Sequence, residues 1–175
     1  MSEINIIRMV EKLQWNPNRP RWPQKRTLER IDRVILHQSL GHADTTGNRD
    51  VFGINNYHIS PGNHISAGGC PHICYHHCID DDGSIYLCNK LTDVVWHCKG
   101  QNARSIGVML VGDFAGPGHP GGEPTAAQER AFFALTEYLM ATLRLGPSAF
   151  FGHRDFGKIA CPGDTAYRWI EKLSI

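Results

Sequence analysis

No apolar run in these 175 residues approaches the roughly twenty that a helical membrane span needs, so stable insertion into a bilayer is not expected. A surplus of basic charge is missing as well: 18 Lys and Arg stand against 17 Asp and Glu. A protein that neutralises a long track of phosphates needs such a surplus, so no nucleic-acid partner is expected. The opening residues, MSEINIIRMVEK, hold only a short apolar patch broken by Arg8, without the basic leader and small-residue cleavage site of an export signal. Synthesis in the cytoplasm is the expectation. Repeats, low-complexity tracts and an interdomain linker are also missing. The length suits one domain, favoured as a monomer, that buries roughly two-thirds of its unfolded surface.

Charge is uneven only in the first thirty residues, where Arg8, Lys12, Arg19, Arg21, Lys25, Arg26 and Arg30 face Glu3, Glu11 and Glu29. With Trp15, Trp22 and the turn-rich NPNRPRWPQKR, this segment reads as an arm over residues 1–30 that packs on or extends the domain at 31–175. An anionic partner is the other reading of the same residues.

Histidine and cysteine are plentiful, at ten and six. Cys70, Cys74, Cys78, Cys88 and Cys98 crowd one region and Cys161 stands apart. An even count suits disulfides in a small secreted protein, but a chain of this size does not need them. Mostly reduced thiols, with one or two bridges at most, are expected.

The pattern of elements is that of an α/β domain with a central mixed β-sheet flanked by helices. RVILHQS at 33–39 and SIGVMLVGDF at 105–114 are apolar runs without strict alternation, as in strands covered on both faces. HICYHHCIDDDGSIYLC predicts two antiparallel strands around an acidic, glycine-closed turn. Alternation along its first strand puts Tyr75, His77 and Ile79 on one face and Cys74, His76 and Cys78 on the other. AFF at 149–151 predicts a short strand that delivers Gly152 and His153. A long helix is predicted over 125–143, with Thr125 as N-cap, Gln128 completing a capping box, and Gly146 and Pro147 ending it. A last helix is predicted from Gly163 to Leu173, and a shorter one over 50–58. The glycine- and proline-rich stretches 60–71 and 112–124 read as loops bordering a site.

The stretch GHRDFGKIACPG at 152–163 has no periodicity to account for its residues. His37, His153 and Cys161 each fall at the end of a predicted strand or in the loop beyond it. Two imidazoles and one thiolate make a three-ligand zinc set with a fourth position left for water. The cluster of Cys70, His72, Cys74, His76, His77 and Cys78 is a competing set, and ordinary core or surface roles account for such residues equally well. Tyr75 and Lys158 are proton donors of the kind an amide hydrolysis needs. Arg154 and Asp155 read as a charge pair shaping the loop.

GHRDFGKIACPGD, together with VILHQS at 34–39, CYHHCIDDDGSIY at 74–86, VVWHCKGQNARSIGVMLVGDF at 94–114 and PTAAQ at 124–128, resembles the zinc-dependent N-acetylmuramoyl-L-alanine amidases, a family that includes T7-like phage lysins and the peptidoglycan recognition proteins. The resemblance covers about residues 30–173 and implies a single amidase domain over 31–175. It implies that His37, His153 and Cys161 ligate Zn2+, that Tyr75 stands beside the metal, and that His97 and Asn102 line the substrate cleft, a hydrogen-bonding role in fixing the loop being the other reading of those two. The family's lysine or threonine helper falls at Ile159, one residue beyond Lys158, so Lys158 is a displaced counterpart. The implied activity is hydrolysis of the bond between N-acetylmuramic acid and L-alanine in bacterial peptidoglycan, as a phage or prophage lysin that reaches the wall after release through the membrane. A noncatalytic peptidoglycan-binding protein, a cytoplasmic amidase recycling wall fragments, and hydrolysis of another amide are the alternatives.

Overall fold

The computed structural model describes residues 4–40, 50–116 and 122–173. Part of the 112–124 loop, at 117–121, and the segment 41–49 lie outside the described residues. Six strands form one mixed sheet: β1 (Ile6–Arg8), β2 (Arg33–Gln38), β3 (His77–Ile79), β4 (Ile85–Leu87), β5 (Ser105–Leu110) and β6 (Phe150–Gly152). Their order across the sheet is β1-β4-β3-β5-β2-β6. Only the hairpin pair β3 and β4 is antiparallel; β2 runs parallel to both β5 and β6, β3 parallel to β5, and β1 parallel to β4.

The sheet is the middle of three layers. Val34, Leu36, Ile79, Ile106, Val108 and Leu110 point to one side, where they meet Phe132, Leu135 and Leu139 of α2 (Ala126–Leu143) and Trp169 and Ile170 of α3 (Asp164–Lys172). Cys78, Met109 and Val111 point to the other, against Val51 and Ile54 of α1 (Val51–Ile59) and Met9, Leu13 and Ile73. Burial on both sides is why β2 and β5 read as continuous apolar runs and not as alternating ones.

The capping box of α2 is present: Gln128 N donates to Thr125 Oγ1 and Thr125 N to Gln128 Oε1, both at 3.0 Å. Its far end differs from the expectation. Arg144, at φ 56°, supplies the left-handed cap, and Gly146 and Pro147 instead open a short 3-10 turn leading into β6.

Two other expectations are corrected. The first hairpin strand begins at His77, so the alternation assigned to residues before it does not hold: Tyr75 packs on the Cys78 side of the sheet, opposite Ile79. Cys74 joins Trp22, Cys70 and Val95 in a separate cluster from Cys78 for the same reason. All six cysteines are free thiols, with Cys78 and Cys88 sulfurs 3.6 Å apart.

The N-terminal segment adds β1 to the sheet edge, a strand the sequence pattern did not suggest. Trp22 is 1% exposed and its Nε1 donates to Asn89 Oδ1 at 2.7 Å, while Asn16 Nδ2 donates to the carbonyls of Ile59 and Cys70 at 2.9 and 3.1 Å. Trp15 stacks on His72 at 4.2 Å. No helix of the described residues is long and apolar enough to cross a membrane.

Candidate metal centre

His37 follows Leu36 in β2 and therefore points to the α1 side, where its register partner is Met109. On the other flank of β2, Leu36 is registered against Gly152, the last residue of β6, so the chain enters the next loop beside His37. His153 is the first residue of that loop, and its ring centroid lies 4.4 Å from that of His37.

The loop then closes on itself. Lys158 N donates to His153 O at 3.3 Å, Cys161 N to Lys158 O at 2.8 Å and Arg154 N to Cys161 O at 2.8 Å, with the left-handed turn made by Gly157 at φ 94°. These bonds fold eight residues of chain so that Cys161 returns to His153. Gln38, the residue after His37, clamps the loop to the sheet: its N donates to Cys161 Sγ at 3.4 Å and its Nε2 to Ala160 O at 2.8 Å. Its Oε1 also accepts from Phe114 N. The charge pairing is not the one expected. Arg154 bonds Asp164 at 2.8 Å, while Asp155 accepts from Gly152 N at 2.9 Å and from the Tyr167 hydroxyl at 2.8 Å.

One donor atom each from His37, His153 and Cys161 lies within 4.8 Å of the others, and among the described residues these three are the group that could hold a metal ion. The donor set fits zinc, for which two imidazoles and a sulfur at about 2.0–2.3 Å leave a fourth position open. The competing cluster is dispersed: His72 lies under Trp15, His76 Nδ1 accepts from Gly107 N at 3.0 Å, and the cysteines divide between two apolar groups.

Burial sets the protonation of the trio. His37, 1% exposed, is held well below the usual imidazole range by desolvation, then by His97 and His153; burial, then Lys158, lowers His153 to about 4. Both rings are therefore neutral near pH 7. Burial pushes the Cys161 thiol up to about 11, so a bound cation must displace its proton. The Tyr75 ring lies 5.1 Å from that of His37, and burial, then the nearby Cys161, keeps its phenol protonated.

Lys158 is exposed, yet near enough to His153, Cys161 and His64 to act on each electrostatically. Ile159 beside it is 84% exposed. His97 is 6% exposed and lies behind His37, its Nδ1 3.0 Å from His37 Nε2 and its Nε2 2.9 Å from Ser105 Oγ. Asn102 turns inward, where its Oδ1 accepts from Cys98 N at 2.8 Å and its carbonyl from Arg26.

The family description "N-acetylmuramoyl-L-alanine amidase" (Amidase_2) matches residues 27–164. The chain belongs to the N-acetylmuramoyl-L-alanine amidase family. This amidase-family chain is 33% identical to the endolysin of Escherichia phage T7 over 144 residues, 82% of its own length and 88% of that protein. It is 34% identical to the endolysin of Klebsiella phage KP32 over 98 residues, 56% of its own length and 64%, just under two thirds, of that relative. Among solved structures, the N-acetylmuramoyl-L-alanine amidase LysC from Clostridium intestinale shares the fold at a TM-score of 0.71 and 22% identity, covering 99% of both chains. Peptidoglycan recognition proteins share it too. Family and fold thus place the candidate trio inside an amidase-family domain.

Three contributors to this candidate site have no sequence signal: Gln38, Ser105 and Gln101. Serine and glutamine are ordinary residues in any strand or turn. Only the register of three parallel strands and the 98–102 turn reveals what they touch.

Proposed function

We propose that this chain is a zinc-dependent amidase that hydrolyses the bond between the lactyl group of N-acetylmuramic acid and the L-alanine of the stem peptide in bacterial peptidoglycan. The observation that carries this reading is the convergence of His37, His153 and Cys161, from two separate parts of the chain, on one point. An endolysin role, acting on the wall after synthesis in the cytoplasm, rests on the likeness to the phage T7 and KP32 endolysins.

His37, His153 and Cys161 would hold Zn2+, which supplies Lewis acidity and water activation when bound. The chain's own residues then have distinct tasks. The Tyr75 phenol, protonated at neutral pH, donates a hydrogen bond to the oxygen that gains negative charge at the lactyl carbon. The Lys158 ammonium adds positive charge from the loop rim. The half-buried His153 marks the open side of the trio, while the enclosed His37 marks its floor. His97 and Asn102 act from behind and beside the site, through their hydrogen bonds to His37, Ser105 and Cys98.

Digestion of purified peptidoglycan tests the reaction. New L-alanine amino termini are expected without new reducing sugar ends, lost in a chelator, restored by zinc, and absent with Cys161→Ser. Reducing ends, or release that persists after chelation, would contradict the assignment. Binding to peptidoglycan without any release would favour a recognition protein.

A further inference from the structure

We infer that Ser105 and His97 are positioning residues that fix the tautomer of His37, leaving its Nδ1 as the nitrogen free to take a metal. This rests on the metal-site reading of His37, His153 and Cys161. The hydrogen-bond chain starts at the Gln101 carbonyl, which can only accept. Ser105 Oγ lies 2.8 Å from it and gives its one proton there. The same Oγ must then accept from His97 Nε2 at 2.9 Å, so that nitrogen carries the imidazole proton. A neutral ring has a single N–H, which makes His97 Nδ1 an acceptor. His37 Nε2, 3.0 Å away, is therefore the donor, and Nδ1 is the bare nitrogen of His37.

Two further features belong to this chain of bonds. Gly107, inside β5, leaves room for the ring: a Cβ there would stand 2.7 Å from His97 Cγ and 2.8 Å from His97 Nδ1. A glycine within a strand marks such a close approach. The anchor is also held. Arg33 Nη1 donates to Gln101 Oε1 at 2.7 Å, Gln101 N to Cys98 O at 2.9 Å, and Cys98 N to Asn102 Oδ1 at 2.8 Å. Asn102 thereby acts on the site through the turn that presents the Gln101 carbonyl.

A ring whose proton stands on the wrong nitrogen cannot ligate through it. Loss of a partner that orients a metal-ligating histidine typically weakens metal binding about 10–100-fold. Ser105→Ala should therefore weaken zinc affinity about 10-fold, and His97→Phe about 100-fold. His97→Asn, whose Oδ1 can accept where Nδ1 did, should recover most of that loss.

Zinc affinity is measured by competition with a chelating dye on the full chain and each variant. Nitrogen-15 spectra of the histidines in the metal-free wild type give the tautomers independently of any variant. The expected spectrum shows His37 and His97 both protonated at Nε2 and bare at Nδ1. A His37 protonated at Nδ1, or Ser105→Ala and His97→Phe chains that bind zinc as tightly as wild type, would overturn the inference while leaving the metal reading intact. A wild-type chain that binds no zinc would overturn both.

Discussion

Lys158 and Tyr75 are the side chains on which the proposed chemistry turns, and each is separable from the metal. Tyr75→Phe keeps the ring that packs beside His37 and removes only the O–H. Removal of one donor to a developing oxyanion costs about 100–1000-fold in kcat, and a loss of that order is expected in peptidoglycan turnover with zinc content unchanged. Lys158→Ala should lower kcat less, by roughly 10-fold, because an exposed ammonium is weakened by water and salt. Adding Ile159→Lys to that variant should restore the rate, since position 159 is also exposed and is one residue nearer Cys161. Full activity in Lys158→Ala would remove Lys158 from the reaction. Residue types alone left the trio beside a competing Cys/His cluster, and it became legible through the likeness of VILHQS and GHRDFGKIACPGD to the amidase family. Gln38 and Ser105 were not legible, since hydrogen-bonding residues of that kind gain meaning only from their neighbours in space.

Among the elements, the ligand loop depends on its fit against α3. A Cβ at Gly152 would stand 2.7 Å from the Tyr167 ring and 3.0 Å from Pro162. Gly152→Ala should therefore overpack this contact and cost roughly 1–3 kcal/mol, read as a lower urea midpoint, with weaker zinc retention because His153 is the next residue. An unchanged midpoint would show that α3 yields freely. The long helix, the buried strands and the hairpin could be read from the chain because each is announced locally: by a Thr125–Gln128 capping box, by apolar runs, by an acidic glycine turn. Locally ambiguous pieces were misread. β1 is three residues long and owes its strand form to pairing with β4, and Tyr75 lies two residues before β3 begins at His77. Arg144 is an unfavoured residue for a left-handed cap, so no sequence signal pointed to it.

Taken as one body, the protein encloses several uncharged histidines, His58 and His77 among them, and its stability should depend on acid accordingly. Burial lowers His58 to about 3 and His77 to about 4, while an unfolded histidine titrates near 6.5. Above pH 6.5 neither state gains protons and the full stability is present. As pH falls below that value the unfolded chain binds protons that the folded chain refuses, so stability is lost down to about pH 3–4. Each histidine contributes up to about 1.4 kcal/mol per pH unit. The urea midpoint of the metal-free protein should drop between pH 7 and pH 5, and His77→Leu should make the slope shallower by one proton. His77 suits that test because its Nδ1 is buried without a partner and it lies apart from the trio. A midpoint flat across this range would contradict the neutral-histidine interior.

The three-layer fold serves the site by covering both faces of β2 and β5, so that His37 is held in the interior while the loop after β6 stays open at the rim. X-ray absorption at the zinc edge of the loaded protein measures the resulting coordination directly. Two nitrogens at about 2.0–2.1 Å, one sulfur at about 2.3 Å and one further light ligand are predicted, with the sulfur lost in Cys161→Ser. A zinc ion without sulfur in the wild type, or one surrounded by several sulfurs from the Cys70–Cys88 region, would contradict the account.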